Sequence, residues 1–121
     1  MMYDFIQEYC LSKKGAEEDY KQDWDAIRYS VRGKMFALIG NDRSGKSIIS
    51  VKHTPEYGEE MREKYPEIVA GYYLNKAYWS SMDLSGNVPE EVLKQMLDCS
   101  YNLIFHSLSR KVQAEILNQH G

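Results

Sequence analysis

Several features that would assign an activity at once are missing from this sequence. No stretch approaches the ~18 uninterrupted apolar residues of a membrane-spanning helix, so no membrane partner is expected. The amino-terminal MMYDFIQEYCLSKKG lacks a basic leader and carries Asp4 and Glu8 in its apolar part, so it does not read as a secretion signal. A cytoplasmic location is the expectation. The two cysteines, Cys10 and Cys99, have no Cys or His at ligand spacing, and His53, His106 and His120 are scattered. They read as thiols in a reducing compartment, and neither a metal site nor a cofactor is expected. No Ser-His-Asp or Cys-His arrangement is legible, so the chain is not expected to be an enzyme. At 121 residues there is room for one core and not two, so residues 1–121 should form a single domain, expected as a monomer.

The charge that is present is unevenly placed. The formal net charge is −3, which gives bulk electrostatics no preference for nucleic acid. Between Ala26 and His53, however, Arg28, Arg32, Lys34, Arg43, Lys46 and Lys52 face Asp42 alone, a surplus of five. Just before it, Glu17, Glu18, Asp19, Asp23 and Asp25 face only Lys21. Such asymmetry marks a binding face or a neutral solvated surface.

Hydrophobic periodicity predicts the elements. Met2, Phe5, Ile6, Tyr9 and Cys10 form a helical stripe, with Lys13 and Lys14 in the last turn and Gly15 as the cap. After an acidic loop, Ile27, Tyr29 and Val31 alternate with polar residues, "KMFALIG" is apolar on both faces, and Ile48, Ile49 and Val51 are β-branched. Together they predict a three-stranded meander. Thr54-Pro55 starts a helix that Pro66 ends. "IVAGYYLNKAYWSSMDL" is strand-like with a break near Asn75-Lys76. Pro89-Glu90-Glu91 opens the longest helix, and Ser109 caps a final one. The order α-β-β-β-α-β-β-α-α predicts an α+β fold of two layers, a largely antiparallel sheet covered by helices.

One motif competes with that reading. "GNDRSGKS", Gly40 to Ser47, fits the phosphate-loop pattern G-x-x-x-x-G-K-[ST] letter for letter. A working phosphate loop needs a helix beginning at its Lys-Ser and a crossover of ~12 or more residues to a parallel strand. Here Thr54-Pro55 follows too soon, and the intervening residues favour a strand. The stretch reads as the tip of the second hairpin.

"CLSKKGAEEDY", "GKMFALI", "TPEYGEEMREKYP" and "GYYLNKAYW", in this order and spacing, resemble the MmcQ/YjbR family from helix one through Ile116. The resemblance implies a CyaY/frataxin-like fold and DNA binding by a double-wing arrangement, and no enzymatic activity attaches to it.

The residues offer matching sites. For DNA, Arg32 and Lys34 at the first turn and Arg43 and Lys46 at the second are read as adjacent cationic tips, with Arg28, Lys52 and Lys76 in support. Tyr72, Tyr73, Asn75 and Trp79 are read as stacking or ligand-binding residues. The alternative is a small-molecule or protein-binding module using the Tyr72–Trp79 segment, Tyr78 included, as the wall of a cleft. By analogy with frataxin, the acidic run at residues 17–25 could collect hard cations weakly.

Overall fold

The computed structural model describes residues 2–71, 74–86 and 88–120, with residues 2, 3, 119 and 120 as backbone only. Its elements are α1 (Met2–Leu11), β1 (Ala16–Lys21), β2 (Ala26–Val31), β3 (Lys34–Asn41), β4 (Ser47–Lys52), α2 (Pro55–Lys64), β5 (Val69–Ala70), β6 (Trp79–Asp83), α3 (Glu90–Ser107) and α4 (Arg110–His120). A single 3-10 turn, Gln22–Trp24, joins β1 to β2. The strands form one sheet in the order β1-β2-β3-β4-β6-β5, antiparallel at every pairing.

The expected α+β architecture and the β2-β3-β4 meander are both present. Two boundaries differ. The acidic segment expected as a loop is the edge strand β1, whose residues are exposed or half-exposed throughout. It lacks an apolar alternation because neither face is buried; pairing with β2 makes it a strand, and the Arg28 guanidinium holds Asp19 directly across the ladder. Helix α1 stops at Leu11, before Lys13 and Lys14. Gly15, at φ +77, turns the chain into β1 instead of capping the helix.

One side of the sheet carries the core. Ile39, Ile49 and Met82 lie in register across β3, β4 and β6. They cluster with Ile6 of α1, Met61 of α2, Met96 and Leu97 of α3, and Ile116 of α4. The alternate residues, Arg28, Leu38, Ser50 and Ser81, share the opposite face.

A bulge in β3 adjusts this alternation. Tyr29 pairs with Ala37 but Ser30 pairs with Met35, leaving Phe36 as the extra residue. Phe36 and its neighbour Ala37 are therefore both fully buried. The bulged carbonyl leaves the ladder and accepts a 2.6 Å hydrogen bond from Ser100 Oγ of α3.

The helix starts follow the sequence signals. Thr54 Oγ1 accepts from the Tyr57 N–H at the start of α2, with Pro55 in the first turn. Ser109 Oγ caps α4 through the Val112 N–H. No helix among the described residues is long and apolar enough to cross a membrane.

Candidate ligand cleft

Consecutive hairpins of a meander turn at opposite ends of the sheet. Arg32 and Gly33, both with positive φ, make the tight β2–β3 turn at one end. The β3–β4 connection, residues 42–46, lies at the other. The eight residues of β3 separate them by roughly 25 Å at the usual rise of a strand. The expectation of two adjacent cationic tips is thus corrected: the tips cannot act on one short stretch of backbone.

The predicted cations also differ in what they already hold. Arg28 is spent on Asp19, Arg32 reaches Glu115 at 3.3 Å, and Lys46 reaches Asp83 at 3.4 Å. Lys76 Nζ donates to the Gly71 carbonyl at 3.0 Å. Arg43, Lys34 and Lys52 have no carboxylate within ion-pair distance among the described residues. Of these three, Arg43 stands alone at the far tip, whereas Lys34 opens β3 and Lys52 closes β4 at the same end of the sheet.

Between those strand ends and α3 lies a cleft of about 600 Å³. Lys34 and Lys52 supply its charge, Met35, Leu103 and Ile104 its apolar wall, and Tyr78 and Trp79 its aromatic one. Lys34 Nζ touches Ser107 Oγ at 3.4 Å, near the end of α3. A second hollow of about 640 Å³ shares His53, Thr54, Leu103 and Ser107 with the first, so the two form one groove along α3. Tyr57, Cys99, Asn102 and His106 line this second part. Burial, followed by the neighbouring Cys99, pushes the Tyr57 hydroxyl above its usual range, so it remains a hydrogen-bond donor at neutral pH.

A buried polar chain holds the floor of the groove. His53 is 2% exposed and Ser80 is fully buried. The His53 Nδ1 lies 2.8 Å from the Thr54 carbonyl, which can only accept, so Nδ1 carries the proton. In the neutral ring Nε2 then accepts from Ser80 Oγ at 2.7 Å, and Ser80 Oγ in turn accepts from Arg62 at 2.9 Å. Burial, aided by the Arg62 charge, lowers the His53 pKa below the 6.5 of a free imidazole. The Ser80–His53 pair has the spacing of a nucleophile and its base. Ser80 nevertheless lies in the interior with its oxygen engaged by Arg62, and both His53 nitrogens are occupied. The chain fastens β4, α2 and β6 together.

Gly58 makes that packing possible. A Cβ built there would fall 2.1 Å from His53 Cε1. Sequence reading did not single out His53, Ser80 or Gly58. Only the glycine inside a proline-started helix signalled them, since glycine costs a helix about 1 kcal/mol and usually answers a need for close approach.

The remaining sequence-predicted groups are dispersed. Tyr72 and Tyr73 lie outside the described residues. Asn75 Oδ1 accepts from the Ala77 N–H and so serves its own turn. Trp79, 7% exposed, presents little surface for stacking. In the acidic run, Glu18 accepts from Gln7, Asp19 pairs with Arg28, and Asp25 accepts from Tyr20. No group of three His, Cys, Asp or Glu is placed to hold a metal ion among the described residues.

The phosphate-loop motif is filled from within. Asp42 Oδ1 accepts the N–H groups of Ser44 and Lys46, each at 2.9 Å, and the Ser44 hydroxyl at 2.7 Å. The Ser44 hydroxyl, followed by the Lys46 and Ser44 amides, holds this carboxylate below the usual carboxylate range, so loop amides that would surround a phosphate are directed at Asp42 instead. Gly45, at φ +85, closes the turn.

Comparison with known proteins gives the chain a family. It is 32% identical over 96 residues to "Uncharacterized protein YjbR" of Escherichia coli, covering 79% of this chain and 80% of the relative. It is 25% identical over 111 residues to "Uncharacterized protein YyaQ" of Bacillus subtilis, covering 81% and 93%. The crystal structure of the Deinococcus radiodurans protein DR2400 superposes with a TM-score of 0.83 at 29% identity, covering 94% of this chain and 86% of that one. A Pseudomonas syringae protein, at 20% identity and a TM-score of 0.73, shares the fold. The family model YjbR matches residues 11–103, a span that contains the sheet, α2, Lys34, Lys52 and the His53 chain, and the protein belongs to the YjbR family.

Proposed function

We propose that the protein is a non-catalytic, monomeric binding module that takes an anionic ligand in the cleft between the β3–β4 ends and α3. The observation that carries this reading is the convergence of Lys34 and Lys52 on one cavity, neither with a carboxylate partner among the described residues. Ordinary solvated lysines pair freely or point into bulk water; two at the mouth of a partly apolar cleft have a desolvated anion as their natural complement. The sealed Ser80 and the doubly bonded His53 favour binding over chemistry.

Nucleic-acid binding is the second reading, and the same observation narrows it. Its phosphate contacts would be Lys34 and Lys52, with Arg32 close by in the turn, and not the two tips together. Two or three neutralised phosphates give weak binding whose affinity falls with salt at a log–log slope of about −2 to −3. The CyaY-like description of the fold belongs with these proposals; its support is the antiparallel sheet with helices over one face.

Thermal unfolding with phenyl phosphate and with a short DNA duplex tests both readings. A ligand bound to the native state raises the melting temperature. Phenyl phosphate should do so in the wild type and not in the Lys34→Ala/Lys52→Ala variant. A rise unchanged by that variant overturns the cleft as the site, and a rise with duplex alone favours nucleic acid.

A further inference from the structure

The groove has three chemically distinct parts in a fixed order, and that order describes a ligand. We propose that the protein binds an elongated amphiphilic anion, with its carboxylate or phosphate at Lys34 and Lys52 and its apolar body along α3. The ligand's far end, carrying a hydrogen-bonding group, reaches Tyr57 and Asn102. The proposal rests on the anion-binding reading above and adds to it the shape and body of the ligand.

Length and polarity carry the argument. Helix α3 supplies one wall of both hollows, from Cys99 in the second to Ser107, which the two share and which Lys34 Nζ touches. The eight helical steps from Cys99 to Ser107 at the standard rise make the groove about 12 Å long, more than a bare inorganic anion can occupy. The cationic end is confined to the first hollow. Between the ends, Leu103 belongs to both hollows, and Met35 and Ile104 continue the apolar wall. A methylene chain or an aromatic body laid there leaves water for an apolar surface already formed, which is the favourable direction of transfer.

The far end is polar and uncharged in character. The Tyr57 hydroxyl keeps its proton. Cys99 and Asn102 line the second hollow beside it. His53 lies in both hollows but offers no nitrogen to a ligand, because each is already bonded. It acts as wall and support.

Isothermal titration with n-octyl phosphate, below its micelle concentration, tests this directly, with inorganic phosphate and n-octanol as separate titrants. Octyl phosphate should bind about tenfold or more tightly than either control, because it alone combines a buried chain with a paired charge. Lys34→Ala/Lys52→Ala should reduce its affinity about tenfold toward that of octanol. Replacing half-buried Leu103 with Asn should reduce the gain from the chain while sparing the charge effect. Equal binding of inorganic phosphate and octyl phosphate overturns the amphiphile and leaves the anion site standing. Equal binding of octanol and octyl phosphate overturns the cationic end, and with it the anion reading itself. No binding of octyl phosphate, with the unfolding midpoint of each protein unchanged, rejects both.

Discussion

Substituting Gly58 by Ala sets two opposed effects against each other. On an exposed helix face the change stabilises by about 1 kcal/mol, because alanine restricts the unfolded chain and favours the helix. Here the new methyl carbon would fall 2.1 Å from His53 Cε1, 2.6 Å from Nδ1 and 2.7 Å from Nε2. These are ring atoms of a side chain held at both nitrogens, so neither group can yield without breaking a hydrogen bond. Overpacking of this kind costs about 1–3 kcal/mol. A displaced ring would also leave the Thr54 carbonyl or Ser80 unsatisfied, at about 1–3 kcal/mol more. After the helix gain is subtracted, we expect Gly58→Ala to lose about 1–5 kcal/mol, or a melting temperature lower by roughly 4–20 °C for a domain of this size. The assay is urea unfolding of Gly58→Ala, His53→Ala and the double variant. Because the smaller residue at position 53 makes room for the new methyl, the double variant should be more stable than the sum of the single losses predicts, by about 1 kcal/mol or more. A Gly58→Ala protein as stable as the wild type would refute the close packing of α2 on His53.

The same histidine gives a pH dependence with a definite sign. Its folded pKa lies below the free value of 6.5, so the native state favours the neutral ring. Its contribution is fully present above about pH 6.5 and is lost as pH falls through the lower folded pKa; the urea midpoint should decline over that window in the wild type and decline less in His53→Gln. Ser100→Ala removes the donor to the bulged Phe36 carbonyl and should cost about 1–3 kcal/mol by urea unfolding, the price of an unsatisfied buried acceptor. Magnesium ATP should leave the amide resonances of residues 40–47 unmoved, because Asp42 already occupies the loop amides, whereas Asp42→Ala should speed hydrogen exchange at Ser44 and Lys46. Shifts in that loop with magnesium ATP would restore the phosphate-loop reading.

How much could be read from the sequence followed burial. The meander, α2, α3 and α4 were legible because each carries an apolar period against the core together with its own start or stop signal, as at Thr54-Pro55 and Ser109. Strand β1 was not, since Glu17, Glu18 and Asp19 bury no face and become a strand only by pairing with β2. Two-residue β5 has too little chain to show a period. The cleft was legible only in fragments. Lys34, Lys52 and Trp79 stood out as charge or aromatic surface, but the groove gathers residues from β3, β4, α2, α3 and the approach to β6, and no local pattern encodes that meeting. The opposite ends of the two cationic tips did follow from the meander itself, since successive antiparallel turns alternate ends. The family resemblance pointed correctly to the YjbR family, while the charge pattern alone gave no way to tell that Arg28, Arg32 and Lys46 are engaged by Asp19, Glu115 and Asp83.

The central claim is that the Lys34–Lys52 end of the sheet, not the loop spelled GNDRSGKS, receives an anion. An amide ¹H–¹⁵N titration of the full chain with phenyl phosphate reports on both ends at once. Saturable shifts should concentrate at Lys34, Lys52, His53, Thr54 and residues 103–107, with residues 42–46 still. Shifts centred on residues 42–46, or spread evenly over every lysine and arginine, would contradict it.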